Sequence, residues 1–111
     1  MNTLTNSAST VPVALHPPLD KFIRAVGSPL RWKILGELSA GEPLMVIEIA
    51  GRVKCSQSLA SKHLAVLRRT GMVTVGHAGV YLIPPHFPIS TAERHVDFGH
   101  GLLRLPGANA A

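Results

Sequence analysis

At 111 residues, 46% of them hydrophobic and only one a cysteine, the chain has room for one domain with an aliphatic core and for no intrachain disulfide. No apolar run approaches the ~20 residues of a membrane span, which argues against a membrane role. The formal net charge of +5 is confined to one place: residues 49–92 lack Asp and Glu but hold Arg52, Lys54, Lys62, Arg68 and Arg69, while the rest of the chain balances. A charge gathered in one segment marks where a polyanion would dock.

Residues 1–18 are rich in Ser, Thr and Asn, end in Pro17-Pro18, and read as a flexible arm. They lack the cationic and apolar regions of a secretory signal, and the lone Cys55 fits a reducing compartment, so a cytoplasmic location is expected. Leu19, Phe22, Ile23 and Val26 recur at helical spacing and predict a first helix stopping at Gly27. Ser28-Pro29 predicts a restart, with a hydroxyl N-cap followed by proline at the first helical position. The second helix carries Trp32, Ile34, Leu35 and Leu38 and stops near Gly41, and Pro43-Leu44 is a short extended link.

Val46, Ile47, Ile49 and Ala50 predict a third helix, ending near Arg52-Val53. Ser56 is the expected N-cap of a fourth, which would bury Leu59, Ala60, Leu64 and Leu67 and stop at Gly71. Helix, tight polar turn and helix with cations on the outer face is the layout of a helix-turn-helix, whose second helix enters the DNA major groove. The runs VTV and VYLIP around Gly76-His77-Ala78-Gly79 predict a β-hairpin, and Pro84, Pro85 and Pro88 forbid its continuation. A last helix is expected over Ser90 to Leu105, with Ser90 and Glu93 as a capping box and Gly99 and Gly101 weakening it by ~1 kcal/mol each. The domain then spans 19–105, with 106–111 a flexible tail.

Several stretches together resemble the ArsR-type bacterial repressors: Gly27 to Leu35 (GSPLRWKIL), Ser56 to Leu64 (SQSLASKHL), Val66-Leu67-Arg68, Gly71-Met72-Val73 and Asp97-Phe98-Gly99. The resemblance implies a mainly α fold with a small β-hairpin: a winged helix-turn-helix of about five helices plus a two-stranded wing. It also implies a homodimer joined through the first and last helices, reading a two-fold double-stranded DNA operator as a transcriptional repressor. Its effector is not given by the sequence.

In that frame Ser56, Gln57, Ser58, Ser61 and Lys62 lie on the early turns of the recognition helix. Gln pairs bidentately with adenine, and Lys reaches guanine or phosphate. Arg68, Arg69 and Lys54 are candidates for phosphate. His63 fits a DNA contact and a structural hydrogen bond equally well. The wing carries only His77 at its tip, where a family wing carries arginines or lysines, and neutral histidine adds little charge near pH 7.

The family's metal sensors hold thiophilic ions in a Cys-x-Cys near the start of the third helix. Here Met45 and Ile47 stand at the corresponding places, so that thiolate site is absent. Cys55 reads as a small buried hydrophobe, with a redox role as the alternative. On a last helix, Glu93, Asp97 and His100 would share one face. Asp97 and His100 could then form half of a zinc site completed by a symmetry mate, although an Asp–His hydrogen bond is the plainer reading. Without that zinc site no cofactor is expected. No catalytic constellation or phosphate loop is present, so the chain is not read as an enzyme. The rival reading is a winged-helix module that binds protein and not DNA. RNA binding is weaker still, because the stacking aromatics are nearly missing.

Overall fold

Among the described residues four α-helices and five short strands follow one another: α1 (Leu19–Val26), α2 (Pro29–Leu38), α3 (Val46–Val53), α4 (Gln57–Arg69), β1 (Thr74–Val75), β2 (Tyr81–Leu82), β3 (Ile89–Ser90), β4 (His95–Asp97) and β5 (Leu102–Arg104). The computed structural model describes residues 9–106. The expected tail over 107–111 and the start of the expected arm, residues 1–8, lie outside the described residues.

Local chemistry explains each helix start. Ser28 Oγ accepts from the Arg31 N–H at 3.3 Å, with Pro29 at the first helical position. Met45 precedes α3 and has no capping oxygen, and Glu48 Oε1 accepts from the Met45 N–H at 2.8 Å instead. Ser56 Oγ accepts from the Leu59 N–H at 3.1 Å and starts α4. Between α3 and α4 the chain turns through Lys54, held left-handed at φ 61°. Such a conformation costs a non-glycine residue about 1–2 kcal/mol.

The helices close on Ile34, Leu35 and Leu38 of α2, Ile49 of α3, and Leu64 and Leu67 of α4. Leu59, expected in that core, is 41% exposed. It falls outside the Ala60–Leu64–Leu67 stripe, whose i, i+4, i+7 spacing defines the buried face of α4. Strands β1 and β2 form the expected hairpin, with Thr74 opposite Leu82 and Val75 opposite Tyr81. Leu44 bonds Tyr81 through both backbone groups, at 3.0 and 2.6 Å, so the link before α3 adds a rung to the wing.

The expected last helix over Ser90 to Leu105 does not form. An antiparallel sheet in the order β3-β4-β5 takes its place. The Ser90 hydroxyl does accept from the Glu93 N–H, at 3.4 Å, but it starts a turn, and Arg94 at φ 55° reverses the chain into β4. Gly99 and Gly101, at φ 108° and 125°, make the β4–β5 turn. Tertiary burial decides the outcome: Val96 and Phe98 alternate along the chain and are fully buried, and Phe98 packs edge-on against Phe87 at 4.8 Å between centroids.

Two ties bind this sheet to the helices. Arg94 donates to the Gly36 carbonyl of α2 at 2.9 Å, and Pro106 packs over Gly36 where any side chain would collide. The packed unit therefore runs one residue past the expected end at 105. At the other end, residues 9–18 of the expected arm lie against the domain. Val11 is 3% exposed within the core, His16 bonds the Val11 carbonyl at 2.8 Å, and His100 Nε2 donates to the Pro17 carbonyl at 2.6 Å.

Candidate nucleic-acid interface

Helix α4 turns Ala60, Leu64 and Leu67 inward, which leaves Gln57, Ser58, Ser61, Lys62, Arg68 and Arg69 on its exposed side. Ser58, Lys62 and Arg69 follow at i, i+4 and i+11, so they share the outermost stripe of the helix. Ser56 spends its hydroxyl on the cap, and Lys54 stands exposed in the turn before it. The fold thus brings together eight of the sequence candidates on one helix and its leading turn. His77 is exposed but lies apart, at the tip of the wing.

Electrostatics sharpen the charge map. Of the five cations in the basic segment, Arg52 is engaged by acids from outside it: Glu37, which is buried, at 3.6 Å and Glu42 at 3.4 Å. Among the described residues, Lys54, Lys62, Arg68 and Arg69 have no ion-pair partner. Within this segment the positive surface available to a polyanion is therefore the α4 face and its turn.

His63 does not share that stripe. It is half-buried on the flank of α4, where Arg31 NH1 donates to its Nδ1 at 3.1 Å. Burial first, and the Arg31 charge second, hold its pKa below the ordinary 6.5. A neutral ring accepting from Arg31 is the structural hydrogen bond that the sequence left as one of two readings. Sequence reasoning gave Arg31 no site role, since a cation in the first turn of a helix carries no sign of what it will reach.

The metal candidates disperse once the last helix is gone. Glu93 sits in the β3–β4 turn with its carboxylate 3.3 Å from His95 Nδ1. Asp97 Oδ1 accepts from the Gly99 N–H at 2.8 Å, and His100 donates to Pro17. Each polar group has a different partner, and among the described residues no group of three His, Cys, Asp or Glu side chains could hold a metal ion. The shared face of Glu93, Asp97 and His100 was a property of a helix that is not there. Cys55 is half-buried in the turn between α3 and α4, packed against the core, with its thiol 3.3 Å from the Ser56 carbonyl. Met45, which precedes α3, and Ile47 within it are both exposed. Among the described residues no helix is long and apolar enough to cross a membrane.

Comparison with curated proteins returned no match. Residues 28–75, however, match the family model described as "Bacterial regulatory protein, arsR family". The matched span begins at the cap of α2, takes in α3, the turn and α4, and ends with β1. It contains every basic residue of the exposed α4 face and omits α1, β2 and the C-terminal sheet. Residues 28–75 thus carry an ArsR-family helix-turn-helix domain, which supports a DNA-binding transcriptional regulator.

Proposed function

We propose that this regulator is a repressor that binds a two-fold operator in double-stranded DNA as a homodimer. The observation that carries the reading is the exposed face of α4, where small polar side chains lie between cations that no acid among the described residues neutralises. Gln57, Ser58, Ser61 and Lys62 are the residues assigned to base edges, and Lys54, Arg68 and Arg69 those assigned to phosphates, with a small contribution from His77.

The dimer is assigned to an apolar face. Leu19 and Ile23, one turn apart on α1, are 54% and 56% exposed. Val13 and Leu15 of the N-terminal segment and Leu102 of β5 are exposed as well. These three segments meet around His100, whose ring lies 5.0 Å from Phe22 and 5.5 Å from His16 between centroids. Exposed aliphatics on these segments are costly on a monomer and suit a self-complementary surface.

The test begins by recovering bound fragments from a random duplex pool. Affinity for them should fall steeply with salt, and the Lys62→Ala, Arg68→Ala double variant should reduce the log–log slope by about two. Leu19→Glu with Ile23→Glu should give a monomer by sedimentation and lose preference for two-fold sites. A flat salt profile would replace this reading with a protein-interaction module.

A further inference from the structure

We infer that Arg31 is a positioning residue for the DNA-reading helix: its guanidinium ties the end of α1 to α4 and sets His63 as a donor, through Nε2–H, to a DNA phosphate. The inference rests on the DNA reading proposed above and adds to it a residue outside the exposed face of α4.

The geometry uses all three nitrogens of one side chain. Nε of Arg31 donates to the Ala25 carbonyl at 2.7 Å, and NH2 donates to the Arg24 carbonyl at 3.0 Å. Both carbonyls belong to the last turn of α1, where helical carbonyls lack the usual i+4 donor and a cation is favoured; that of Arg24 also accepts from the Gly27 N–H at 3.3 Å. The third nitrogen, NH1, donates to His63 Nδ1 at 3.1 Å, across 32 positions of sequence. A planar fork with fixed donor directions can serve three acceptors at once, which a lysine ammonium on a flexible stem cannot do in the same geometry. One residue of α2 therefore sets the distance between the end of α1 and the middle of α4.

Nδ1 can accept from Arg31 only while it carries no proton. The neutral ring must then hold its hydrogen on Nε2. That nitrogen has no hydrogen-bond partner among the described residues, and no buried side-chain nitrogen is left unpaired, so Nε2 reaches the surface. His63 directly follows Lys62 and stands on the flank of α4, beside the stripe of Ser58, Lys62 and Arg69. A helix lying in the major groove presents such a flank to the groove wall, where phosphate oxygens accept.

The charged group against the ring is the Arg31 guanidinium of α2, whose other arms are held by the carbonyls of Arg24 and Ala25 at the end of α1. Among the described residues no carboxylate pairs with it. A proton on Nδ1 would remove the acceptor and set a second cation against Arg31. For this role the loss of the Arg31 bond on protonation has to outweigh the attraction of phosphate for the added charge, so that operator binding weakens as pH falls through the pKa.

The experiment compares the wild-type chain with Arg31→Lys and His63→Gln. Nitrogen-detected NMR of the imidazole reports tautomer and pKa without DNA, and duplexes recovered from the random pool report affinity from pH 5 to 8. Arg31→Lys keeps the charge but not the fork. It should release His63 from a single tautomer, raise its pKa, and weaken operator binding about tenfold, with the salt slope unchanged. His63→Gln keeps an acceptor for Arg31 and an outward N–H. It should bind within about twofold of wild type at pH 7 and lose the fall at acid pH. The inference is overturned if Arg31→Lys leaves tautomer and affinity unchanged, or if His63→Gln keeps the wild-type pH profile. A wild-type chain that binds no duplex at any salt refutes the DNA reading itself, a different result from a wild type that binds and variants that match it.

Discussion

Replacing Gly101 with alanine discriminates between a C-terminal helix and the sheet, because the two predict opposite signs. In a helix interior, glycine to alanine stabilises by about 1 kcal/mol. Gly101 lies instead in the β4–β5 turn at φ 125°, a conformation that an L side chain resists. An added Cβ there meets no atom within 4 Å, so the cost is purely conformational and of the order of 1–3 kcal/mol. Gly51 supplies the internal control. It lies inside α3, exposed, and a Cβ added to it also meets nothing within 4 Å, so Gly51→Ala should stabilise by about 1 kcal/mol. Urea titrations of both variants should move the midpoint in opposite directions at unchanged m-value. Melting temperatures should follow at about 4–8 °C per kcal/mol for a domain of this size. A Gly101→Ala variant whose midpoint rises like that of Gly51→Ala would falsify the sheet and restore the helix.

Three further outcomes follow from particular residues. Phe98→Ala should cost about 3–5 kcal/mol in urea unfolding, since the ring is fully buried against Phe22 and Phe87; a loss below 1 kcal/mol would show that the sheet is not part of the cooperative core. Lys54→Gly relieves a left-handed non-glycine residue and should stabilise by about 1 kcal/mol, while removing a cation beside α4 and lowering the salt slope of duplex binding by about one. Stability should also depend on pH through His63. Its folded pKa lies below the ordinary value, because burial and then the Arg31 charge disfavour the cation, so the unfolded chain binds the extra proton. The contribution is complete above about pH 6.5 and is lost as pH falls through the folded pKa. His63→Gln should therefore show a shallower decline of the urea midpoint between pH 7 and 5, and parallel declines would count against it.

The helix-turn-helix was legible because each of its signals is local. Ser28-Pro29 and Ser56 cap helices with their own side chains, and Ala60, Leu64 and Leu67 mark a buried stripe at helical spacing. The acid-free run around Lys62 and Arg68 needs no partner to be read. The exposed residues of α4 follow from the same stripe, since what does not face the core faces solvent. Leu59 was misplaced because hydrophobicity alone does not say which side of that stripe a residue falls on.

What the sequence by itself determined is the basic helix-turn-helix with its wing, because capping, spacing and turn chemistry act within a few residues. Only the tertiary structure decided the rest. Ser90 and Glu93 satisfy a local helix-start pattern, yet the burial of Val96 and Phe98 against Phe87 and Phe22, and the docking of Arg94 and Pro106 on Gly36, favour strands. The bond from Arg31 to His63 and the diversion of Arg52 to Glu37 and Glu42 likewise join groups that no local spacing relates. A sequence window reports what its own residues prefer, whereas the choice between near-equal local conformations is made by contacts that exist only once the chain has folded.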